Sequence, residues 1–325
     1  MVNPPNQVKA EIGILLTVYN GEQFIAQCIE SIQEQTVADW QLIVVDDRST
    51  DATPDILAGF AKRDSRILLL KGTHTGIAAA ANLGLAEVSA PFLARIDADD
   101  VALPNRLQVQ RDYLLANPEA LAVGSYVRLI DAQNKKLGLR KAPTDSAEIA
   151  VTLKTRNCMC HPSSMIRTDA MRMIGGYRSK FKNSLDYDLW LRLSEIGQIS
   201  NQALELLLYR RHPNQVSASA NSYRQTLYSV GAAIDYFFRR HGIADRESVI
   251  DEANNDNLSG CLLDIYRLAL GPDDLRAVNR HSIRLLRHAR ALSKAAREDL
   301  VKVMLPNLSL TERLKHHLYR ALSAR

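Results

Sequence analysis

The first hundred residues of the chain alternate short apolar runs with segments in which apolar residues recur at helical spacing. The apolar runs lie at 12–18, 42–45, 67–70 and 92–96, and each predicts a strand buried in a sheet. The segments between them predict helices whose apolar stripe packs on that sheet. Because strands joined by crossover helices form a mostly parallel sheet, the pattern predicts an α/β fold with helices flanking the sheet.

Beyond residue 115 the hydrophobic pattern becomes that of antiparallel strands and then that of helices. Runs at 120–130, 136–140 and 163–167 predict antiparallel strands, followed by a helix over about 186–196 and a strand near 204–210. From residue 222 onward the apolar period is helical, without a run that predicts a strand. The sequence therefore predicts two domains, an α/β domain with a mixed sheet over residues 1–221 and a helical region over residues 222–325.

Composition and charge are those of an ordinary globular protein, with 46% hydrophobic and 24% charged residues. No apolar run approaches the roughly 20 residues that cross a bilayer, and residues 1–9 lack the pattern of a signal peptide. We therefore expect a cytoplasmic protein whose four cysteines are reduced thiols. The net charge of +5 is unevenly distributed, because residues 276–325 carry twelve Lys or Arg against three acidic residues.

Polar residues follow three of the predicted parallel strands, at 17–20, 46–47 and 97–100. Ligands of open α/β sheets bind beyond the carboxyl ends of the strands, so these residues are expected to meet in one crevice. Alternate side chains of a strand share a face, which predicts that the carboxylates of Asp97 and Asp99 lie together. A Mg²⁺ or Mn²⁺ ion would relieve the repulsion within such a pair. An Asp-rich strand end is also common as a turn or a helix cap.

Residues 94–100 (Ala-Arg-Ile-Asp-Ala-Asp-Asp), with Pro104, Arg106, Leu107 and Gln110 after them, resemble family 2 of the glycosyltransferases, whose fold is called GT-A. Further motifs of the family follow in order over about residues 10–220. The resemblance implies a Rossmann-like domain in which eight residues contact the donor nucleotide, namely Thr17, Tyr19, Asn20, Asp47, Gly76, Asn82, Asp97 and Ala98. Of these, Thr17 and Tyr19 would hold the nucleobase, and Asp47 would accept a hydrogen bond from a pyrimidine N–H.

The same resemblance implies a divalent ion, Mn²⁺ or Mg²⁺, held by Asp99 with help from Asp97. Residues 209–217 resemble the segment that closes the family's catalytic domain. There His212 would approach the diphosphate end of the donor and either ligate the metal or donate to phosphate. A lone His is also common as an ordinary surface residue, so both interpretations stay open here.

The general base is expected within residues 185–192, which resemble the family's Glu-Asp motif at the start of a helix. Asp186 and Asp188 lie about 200° apart on a helix, so only one of them can face the crevice. Asp186 aligns with the apolar residues Leu189, Trp190 and Leu193, whereas Asp188 lies four residues before Arg192 and can form a local salt bridge. We therefore predict that Asp186 is the base. The sequence departs from the family at Leu185, where a Glu is usual.

These features predict an inverting glycosyltransferase that moves a sugar from a nucleotide-sugar donor, with a UDP-sugar favoured, to a hydroxyl of a glycan or a lipid-linked glycan. Its expected role is the assembly of cell-surface polysaccharide or lipopolysaccharide. A dinucleotide-dependent oxidoreductase is disfavoured, because residues 17–21 (Thr-Val-Tyr-Asn-Gly) do not form a Gly-rich phosphate turn. A non-catalytic sugar-nucleotide-binding or scaffold protein with the same fold is the alternative, and Leu185 is the residue that favours it.

The C-terminal segment predicts a basic amphipathic helix. Ser309 and Glu312 fit a capping box, and apolar residues then recur every four positions, at Leu310, Leu314, Leu318 and Leu322. Such a helix can bind the cytoplasmic face of the inner membrane as a peripheral contact, or it can pack on the catalytic domain with a solvated outer face. Nucleic acid is not a predicted partner, since the basic segment lacks interleaved aromatic residues and a groove-reading motif.

Overall fold

The structure is a computed structural model that describes residues 10–213, 215, 222–243, 256–268, 270–286 and 292–307. The chain divides into two compact units. The first comprises Met1–Ala150 and Cys158–Ala218, and the second comprises Val151–Asn157 and Ser219–Arg325. The short segment Val151–Asn157 therefore belongs to the second unit although it lies within the first in sequence.

Within the described residues, nine strands of the first unit form one mixed sheet. They are β1 Ile12–Val18, β2 Trp40–Asp46, β3 Ile67–Lys71, β4 Phe92–Asp97, β5 Val101–Ala102, β6 Ala120–Asp131, β7 Lys136–Arg140, β8 Met165–Arg167 and β9 Gln198–Arg211. Their order is β3-β2-β1-β4-β8-β6-β9-β5, with β7 paired to β6. The four strands β3, β2, β1 and β4 are parallel neighbours, as their hydrophobic pattern predicts.

Along the described part of the chain, seven α-helices lie between the strands. They are α1 Ile25–Gln33, α2 Thr53–Arg63, α3 Ile77–Glu87, α4 Arg106–Ala116, α5 Ser146–Leu153, α6 Thr168–Met173 and α7 Leu185–Ile196. Even-numbered β1 residues such as Ile14 belong to the core that contains Ile25 and Ile29 of α1. On the opposite face, Leu15 contacts α3 at Gly84. Because alternate strand residues face opposite sides, burial on both faces explains why β1 is apolar up to Thr17 near its end. Each buried Ile contributes about 1.5–3 kcal/mol.

The strands predicted to be antiparallel beyond residue 115, β6, β7 and β8, do pair antiparallel, and the structure adds a parallel pair of β6 with β9 that the sequence did not predict. These two long strands run parallel to each other, whereas β6 pairs antiparallel with β7 and β8, and β8 pairs antiparallel with β4. A parallel pair needs a long crossover connection, and the chain between β6 and β9 contains α5, α6 and α7. Strand pattern alone does not reveal the direction of pairing, so the parallel pair of β6 and β9 is a finding of the structure.

The described part of the second unit is helical. It contains α8 Ser222–Arg240, α9 Asp256–Tyr266, α10 Pro272–Leu286, α11 Lys294–Met304 and a 3₁₀ turn at Leu305–Asn307. Helix α10 contacts α8, α9 and α11. Among the described residues, no helix has both the length and the apolar character that a membrane crossing requires. The predicted basic helix over 309–322 lies outside the described residues.

His281 of α10 is a buried histidine whose environment keeps it neutral. Its Nε2–H donates to the carbonyl oxygen of Lys154 at 2.9 Å, while Nδ1 makes no hydrogen bond within the part of the chain that the structure describes. Burial and, to a smaller extent, the nearby Arg284 guanidinium together lower the pKa of His281 to about 4. The folded protein therefore takes up a proton at His281 only at a lower pH than the unfolded chain does.

We expect acid to destabilise the protein through His281. Its folded pKa lies below the unfolded value, so the stabilisation is complete above about pH 6.5 and is lost as the pH falls towards 4. Between pH 7 and pH 5 the loss should be about 2 kcal/mol. Urea unfolding of the full chain at both pH values, compared with His281→Gln, measures this contribution. Equal acid sensitivity of the two proteins would contradict the assignment.

Candidate active site

The carboxyl ends of β1, β2 and β4 lie side by side at one edge of the sheet. Thr17 pairs in register with Val45 of β2 and with Asp97 of β4, and Val18 pairs with Asp46. The three polar segments predicted at strand ends are therefore neighbours at one edge of the sheet, where the sequence predicts the binding crevice.

Three residues at this edge adopt left-handed backbone conformations although they are not glycine. They are Asn20, Arg48 and His74, with φ angles of 53°, 67° and 60°, and such conformations cost about 1 kcal/mol or more each. At Asn20 the strain is offset by contacts between loops. Its N–H donates to Ser49 Oγ at 2.9 Å, and its amide oxygen accepts from the N–H of Thr50 at 2.8 Å. Asn20, predicted to contact the nucleotide, thus joins the loop after β1 to the loop after β2.

Tyr19, Asp47 and His74 form a small aromatic and acidic cluster at one end of the crevice. The Tyr19 side chain is half-exposed, and its ring centroid lies 4.7 Å from that of His74. Asp47 Oδ1 accepts from the N–H of His74 at 2.7 Å, and the Asp47 carbonyl accepts from His74 Nδ1 at 2.9 Å. Gly72 allows this approach, because a Cβ there would lie 2.3 Å from Asp47 Oδ1. The sequence analysis missed His74, for which the primary structure carries no signal beyond its place after a strand.

Gly76 immediately precedes α3, and Asn82 lies within that helix. Gly76 precedes the helix with a φ of 106°, a conformation that favours glycine. The Asn82 side chain bonds both backbone groups of Tyr177: its Nδ2 donates to the carbonyl at 2.8 Å and its Oδ1 accepts from the N–H at 2.9 Å. Asn82 therefore anchors the segment that leads into α7, a contact that the predicted nucleotide role did not anticipate.

Asp97 to Asp100 form a turn, and this corrects the reasoning from strand geometry. Strand β4 ends at Asp97, and the N–H of Asp100 donates to the Asp97 carbonyl at 3.1 Å. Asp97 and Asp99 are consequently not alternate residues of one strand, although both face the same region. Ala98 packs against the hydrophobic core. Asp100 is fully buried, and its Oδ1 accepts from the N–H of Arg210 at 2.9 Å.

Asp97 lies between one cation and two other carboxylates. Arg95, which is buried, donates to Asp97 Oδ1 at 3.0 Å and to the carbonyl of Leu15 at 2.7 Å. Loss of solvation raises the pKa of Asp97 above its usual value; Arg95 opposes this rise, and the charges of Asp99 and Asp186 add to it. The negative charge gathered here would be relieved by a cation.

His212 meets Asp99 directly. Its Nε2 lies 2.9 Å from Asp99 Oδ2, and its ring packs on Phe24 with centroids 5.1 Å apart. Carboxylate oxygens and an imidazole nitrogen form a donor set suited to Mn²⁺, and oxygens alone to Mg²⁺. Within the described residues no three acidic, His or Cys side chains form a metal cage of their own. Mg²⁺ commonly binds through one or two carboxylates plus substrate phosphates, and the residues present fit such a site.

Asp186 and Asp188 occupy different environments in the first turn of α7. Asp186 is half-buried, accepts from the N–H of Tyr187 at 2.8 Å, and is close enough to Asp97 to raise its pKa. Asp188 is completely buried between two arginines, with Arg192 Nε at 2.9 Å and Arg178 Nε at 3.1 Å. The predicted pair of Asp188 with Arg192 is confirmed, and Arg178 completes it. Leu185 is buried.

A neutral pair, His161 and Tyr177, lies beside the two carboxylates. His161 Nε2 is 2.9 Å from the Tyr177 hydroxyl, and the His161 ring meets the edge of Trp190 on α7. Burial lowers the pKa of His161 and raises the pKa of Tyr177 to about 12, with the charges of Asp97 and Asp186 also raising the latter. The pair is therefore uncharged at neutral pH. Sequence reasoning gave His161 no chemical role and did not identify Tyr177.

Comparisons with known proteins identify the family of this chain. The family model described as Glycosyl transferase family 2 matches residues 14–175. Putative glycosyltransferase EpsE of Bacillus subtilis (strain 168) is 32% identical over 69% of this chain and 80% of its own length. The O-antigen biosynthesis glycosyltransferase WbnJ of Escherichia coli is 32% identical over 65% and 84%. The UDP-Glc:alpha-D-GlcNAc-diphosphoundecaprenol beta-1,3-glucosyltransferase WfgD of Escherichia coli is 30% identical over 66% and 81%.

Solved structures show the same fold at low sequence identity. S. aureus TarS 1–349 in complex with UDP-GlcNAc matches with a TM-score of 0.62 and 15% identity, over 90% of both chains. The mannosyltransferase PcManGT from Pyrobaculum calidifontis, in complex with GDP-Man and Mn²⁺, matches with a TM-score of 0.53 and 15% identity, over 96% of this chain and 85% of its own. The predicted GT-A type mixed sheet, flanked by helices and followed by a helical C-terminal region, is confirmed. The chain belongs to glycosyl transferase family 2 and is a glycosyltransferase.

Proposed function

We propose that the protein is an inverting glycosyltransferase that moves a sugar from a nucleoside diphosphate sugar to an acceptor hydroxyl. The observation that carries this proposal is that Asp186, at the start of α7, lies close enough to Asp97 for its charge to raise the pKa of Asp97. A carboxylate able to accept a proton thus lies near the carboxylates and the histidine that would hold the diphosphate end of a donor. Direct displacement of a nucleoside diphosphate needs these two functions on opposite sides of the anomeric carbon.

At the nucleotide end, Tyr19 and His74 would hold the nucleobase between or beside their rings, and Asp47 would accept from a base N–H. The contacts among these residues support this role. His74 makes two hydrogen bonds to Asp47, and its ring packs against that of Tyr19. Thr17 lies on β1 beside Asp97. We favour a UDP-sugar as donor, because the TarS structure contains UDP-GlcNAc and WfgD is named for UDP-Glc. A GDP-sugar is the other candidate donor, since the PcManGT structure contains GDP-Man.

At the diphosphate end, Asp99, Asp97 and His212 would hold a divalent ion, Mn²⁺ or Mg²⁺. The ion would supply positive charge that stabilises the departing diphosphate. Asp99 and His212 already converge to 2.9 Å, and Arg95 orients Asp97. Contacts of this kind orient the side chains that would ligate the ion.

Asp186 would act as the general base. It takes the proton from the acceptor hydroxyl while the acceptor oxygen bonds to the anomeric carbon and the bond to the diphosphate oxygen breaks. The single displacement inverts the configuration, and Asp186 later releases its proton to solvent. The buried Leu185 leaves Asp186 without the neighbouring Glu that is usual in the family, so any acceptor contact of that Glu falls to other residues.

The acceptor we propose is a hydroxyl of a glycan or lipid-linked glycan, in assembly of cell-surface polysaccharide or lipopolysaccharide. WbnJ is named for O-antigen biosynthesis and WfgD for a diphosphoundecaprenol-linked acceptor. A cytoplasmic location, with peripheral contact to the inner membrane, would suit such an acceptor. The alternative, a non-catalytic sugar-nucleotide-binding protein, shares the nucleotide end but lacks turnover.

We expect Asp99→Asn to abolish metal-dependent donor use. The substitution removes one negative charge and one ligand from the diphosphate end, and loss of a metal contact costs several kcal/mol, so activity should fall about 100-fold or more. The assay measures release of nucleoside diphosphate from UDP-, dTDP- and GDP-sugars with Mn²⁺ or Mg²⁺, with and without a lipid-linked glycan acceptor. Asp169→Asn is the matched control, because Asp169 is 93% exposed and pairs only with Arg172 among the described residues.

The possible results separate the alternatives. Turnover of one donor, lost in Asp99→Asn and kept in Asp169→Asn, supports the proposal and identifies the nucleotide. Calorimetric binding of a nucleoside diphosphate with Mn²⁺, without turnover of any donor, would favour the non-catalytic alternative. If no nucleoside diphosphate binds, the proposed function is wrong.

A further inference from the structure

Arg210 is a buried cation that lies directly behind the turn of Asp97 to Asp100. It belongs to β9 and is 1% exposed. Its Nε donates to the carbonyl of Asp99 at 2.7 Å, and its backbone N–H donates to Asp100 Oδ1 at 2.9 Å. Arg210 thus bonds two consecutive residues of the turn, the carbonyl of Asp99 and the carboxylate of Asp100. The carboxylate of Asp99 stays available to His212.

The other end of the same guanidinium is fixed to two further parts of the first unit. Nη1 donates to the carbonyl of Asp131, the last residue of β6, at 3.1 Å, and to Asn134 Oδ1 in the turn between β6 and β7 at 2.7 Å. Nη2 donates to Gln27 Oε1 of α1 at 2.8 Å. A planar guanidinium with several donors in a fixed fork can make all these bonds at once, which an ammonium cannot do.

Arg210 is also coupled to the imidazole that faces Asp99. Its guanidinium carbon lies 4.6 Å from the centre of the Phe24 ring, and the same ring packs against His212. His212 follows Arg210 by two residues along the chain. One side chain therefore determines the position of the Asp99 backbone and supports the surface on which the His212 ring rests.

We propose that Arg210 is a positioning residue that holds the Asp99–His212 pair in the geometry needed to bind a divalent ion together with a nucleoside diphosphate. This inference rests on the proposed function, because it concerns the same end of the crevice. Arg210 acts through its bonds to the turn and through Phe24, not by contact with the donor. Residues that orient metal ligands in this way change metal affinity about 10–100-fold when they are replaced.

The test compares Arg210→Lys with Arg128→Lys in the full-length protein. Arg128 also bridges two strands of the sheet, since its Nε donates to Glu205 of β9 at 2.9 Å. Within the described residues its side chain bonds Glu205 and not the turn of Asp97 to Asp100, so it serves as a matched control. Mn²⁺ affinity in the presence of a nucleoside diphosphate is measured by electron paramagnetic resonance. Arg210→Lys should weaken it about 10–100-fold, and Arg128→Lys should change it less than about threefold.

A second readout needs no ligand. Hydrogen–deuterium exchange of the free protein should become faster in Arg210→Lys at residues 97–103, by about tenfold or more, while the other strands of the first unit keep their protection. If Arg210→Lys is not recovered as folded protein, Gln27→Leu takes its place, because it removes one hydrogen bond of Arg210. The loss of Mn²⁺ affinity and the faster hydrogen exchange should then be about a third as large or less.

Each outcome decides one of the two proposals. Weakened Mn²⁺ affinity with local exchange at 97–103 supports the positioning role. Unchanged Mn²⁺ affinity, or faster exchange spread evenly over the first unit, would show that Arg210 only stabilises the fold and would overturn the inference. If the wild-type protein binds no Mn²⁺ with any nucleoside diphosphate, the proposed function fails, and the exchange pattern alone still decides whether Arg210 fixes the turn.

Discussion

Replacing Asp186 with Asn should lower the rate of sugar transfer about 1,000-fold, within the range that general-base catalysis contributes, and leave donor binding almost unchanged. Asn has the shape of Asp but cannot take the proton of the acceptor hydroxyl. The measurement is kcat and KM for the donor identified in the nucleotide-sugar screen, with an acceptor present. Glu195→Gln is the matched control, since it removes one charge from the exposed part of the same helix.

The affinity of Asp186→Asn for the donor nucleotide adds a second criterion. The Asp186 charge raises the pKa of Asp97, so its removal lowers that pKa and favours the ionised form that would help hold a metal. Donor affinity should therefore stay the same or rise. Transfer at more than about a tenth of the wild-type rate would rule out Asp186 as the base, because loss of a general base costs at least about 100-fold.

Replacing Asp188 with Asn should instead destabilise the fold by about 3–5 kcal/mol, because it leaves two arginines without their shared carboxylate in a buried site. Asp188 is fully buried and bonds both Arg178 and Arg192. Arg192 also donates to the carbonyls of Ile174 and Gly176, so the loss spreads to the segment before α7. Urea unfolding of the full chain measures the free energy of unfolding.

Asp112→Asn is the control for this measurement. Asp112 pairs with Arg111 on α4, but half of its side chain is exposed, and exposed pairs contribute about 0–1 kcal/mol. The two aspartates at the start of α7 should therefore show opposite phenotypes, one losing activity and the other losing stability. If Asp188→Asn unfolded at the same urea concentration as the Asp112 variant, the buried ion pair would not have the structural role assigned to it.

The parallel half of the sheet could be predicted from the sequence because its signals are local. Each of the strands β1, β2, β3 and β4 is predominantly apolar, and the helices between them carry apolar stripes at helical spacing. A strand that is buried on both faces needs apolar side chains on both, so such strands can be recognised from the sequence. Strand β7 was also predicted with its observed bounds, whereas α5, α6 and the two-residue strand β5 are too short to give a clear period.

The candidate site was partly predictable for the same reason. The acidic and polar residues follow their strands immediately, and parallel strands end at one edge of a sheet, so the meeting of Thr17, Asp47 and Asp97 followed from local pattern. The resemblance to family 2 glycosyltransferases supplied the expected roles, including that of His212. The roles of the site residues themselves remain predictions until the experiments above are made.

What the sequence by itself determined was the α/β architecture of the first hundred residues, the helical character of the described C-terminal region, and the residue types gathered at the strand ends. Only the tertiary structure decided the parallel pairing of β6 with β9 and the turn that brings Asp97 and Asp99 together. It also decided the contacts of His212 with Asp99, of Asn82 with Tyr177 and of Arg210 with Gln27, which join residues 113, 95 and 183 positions apart. Side-chain hydrogen bonds of this kind depend on how distant segments pack. Each needs its partner within about 3 Å, and the local sequence around a side chain does not specify that partner.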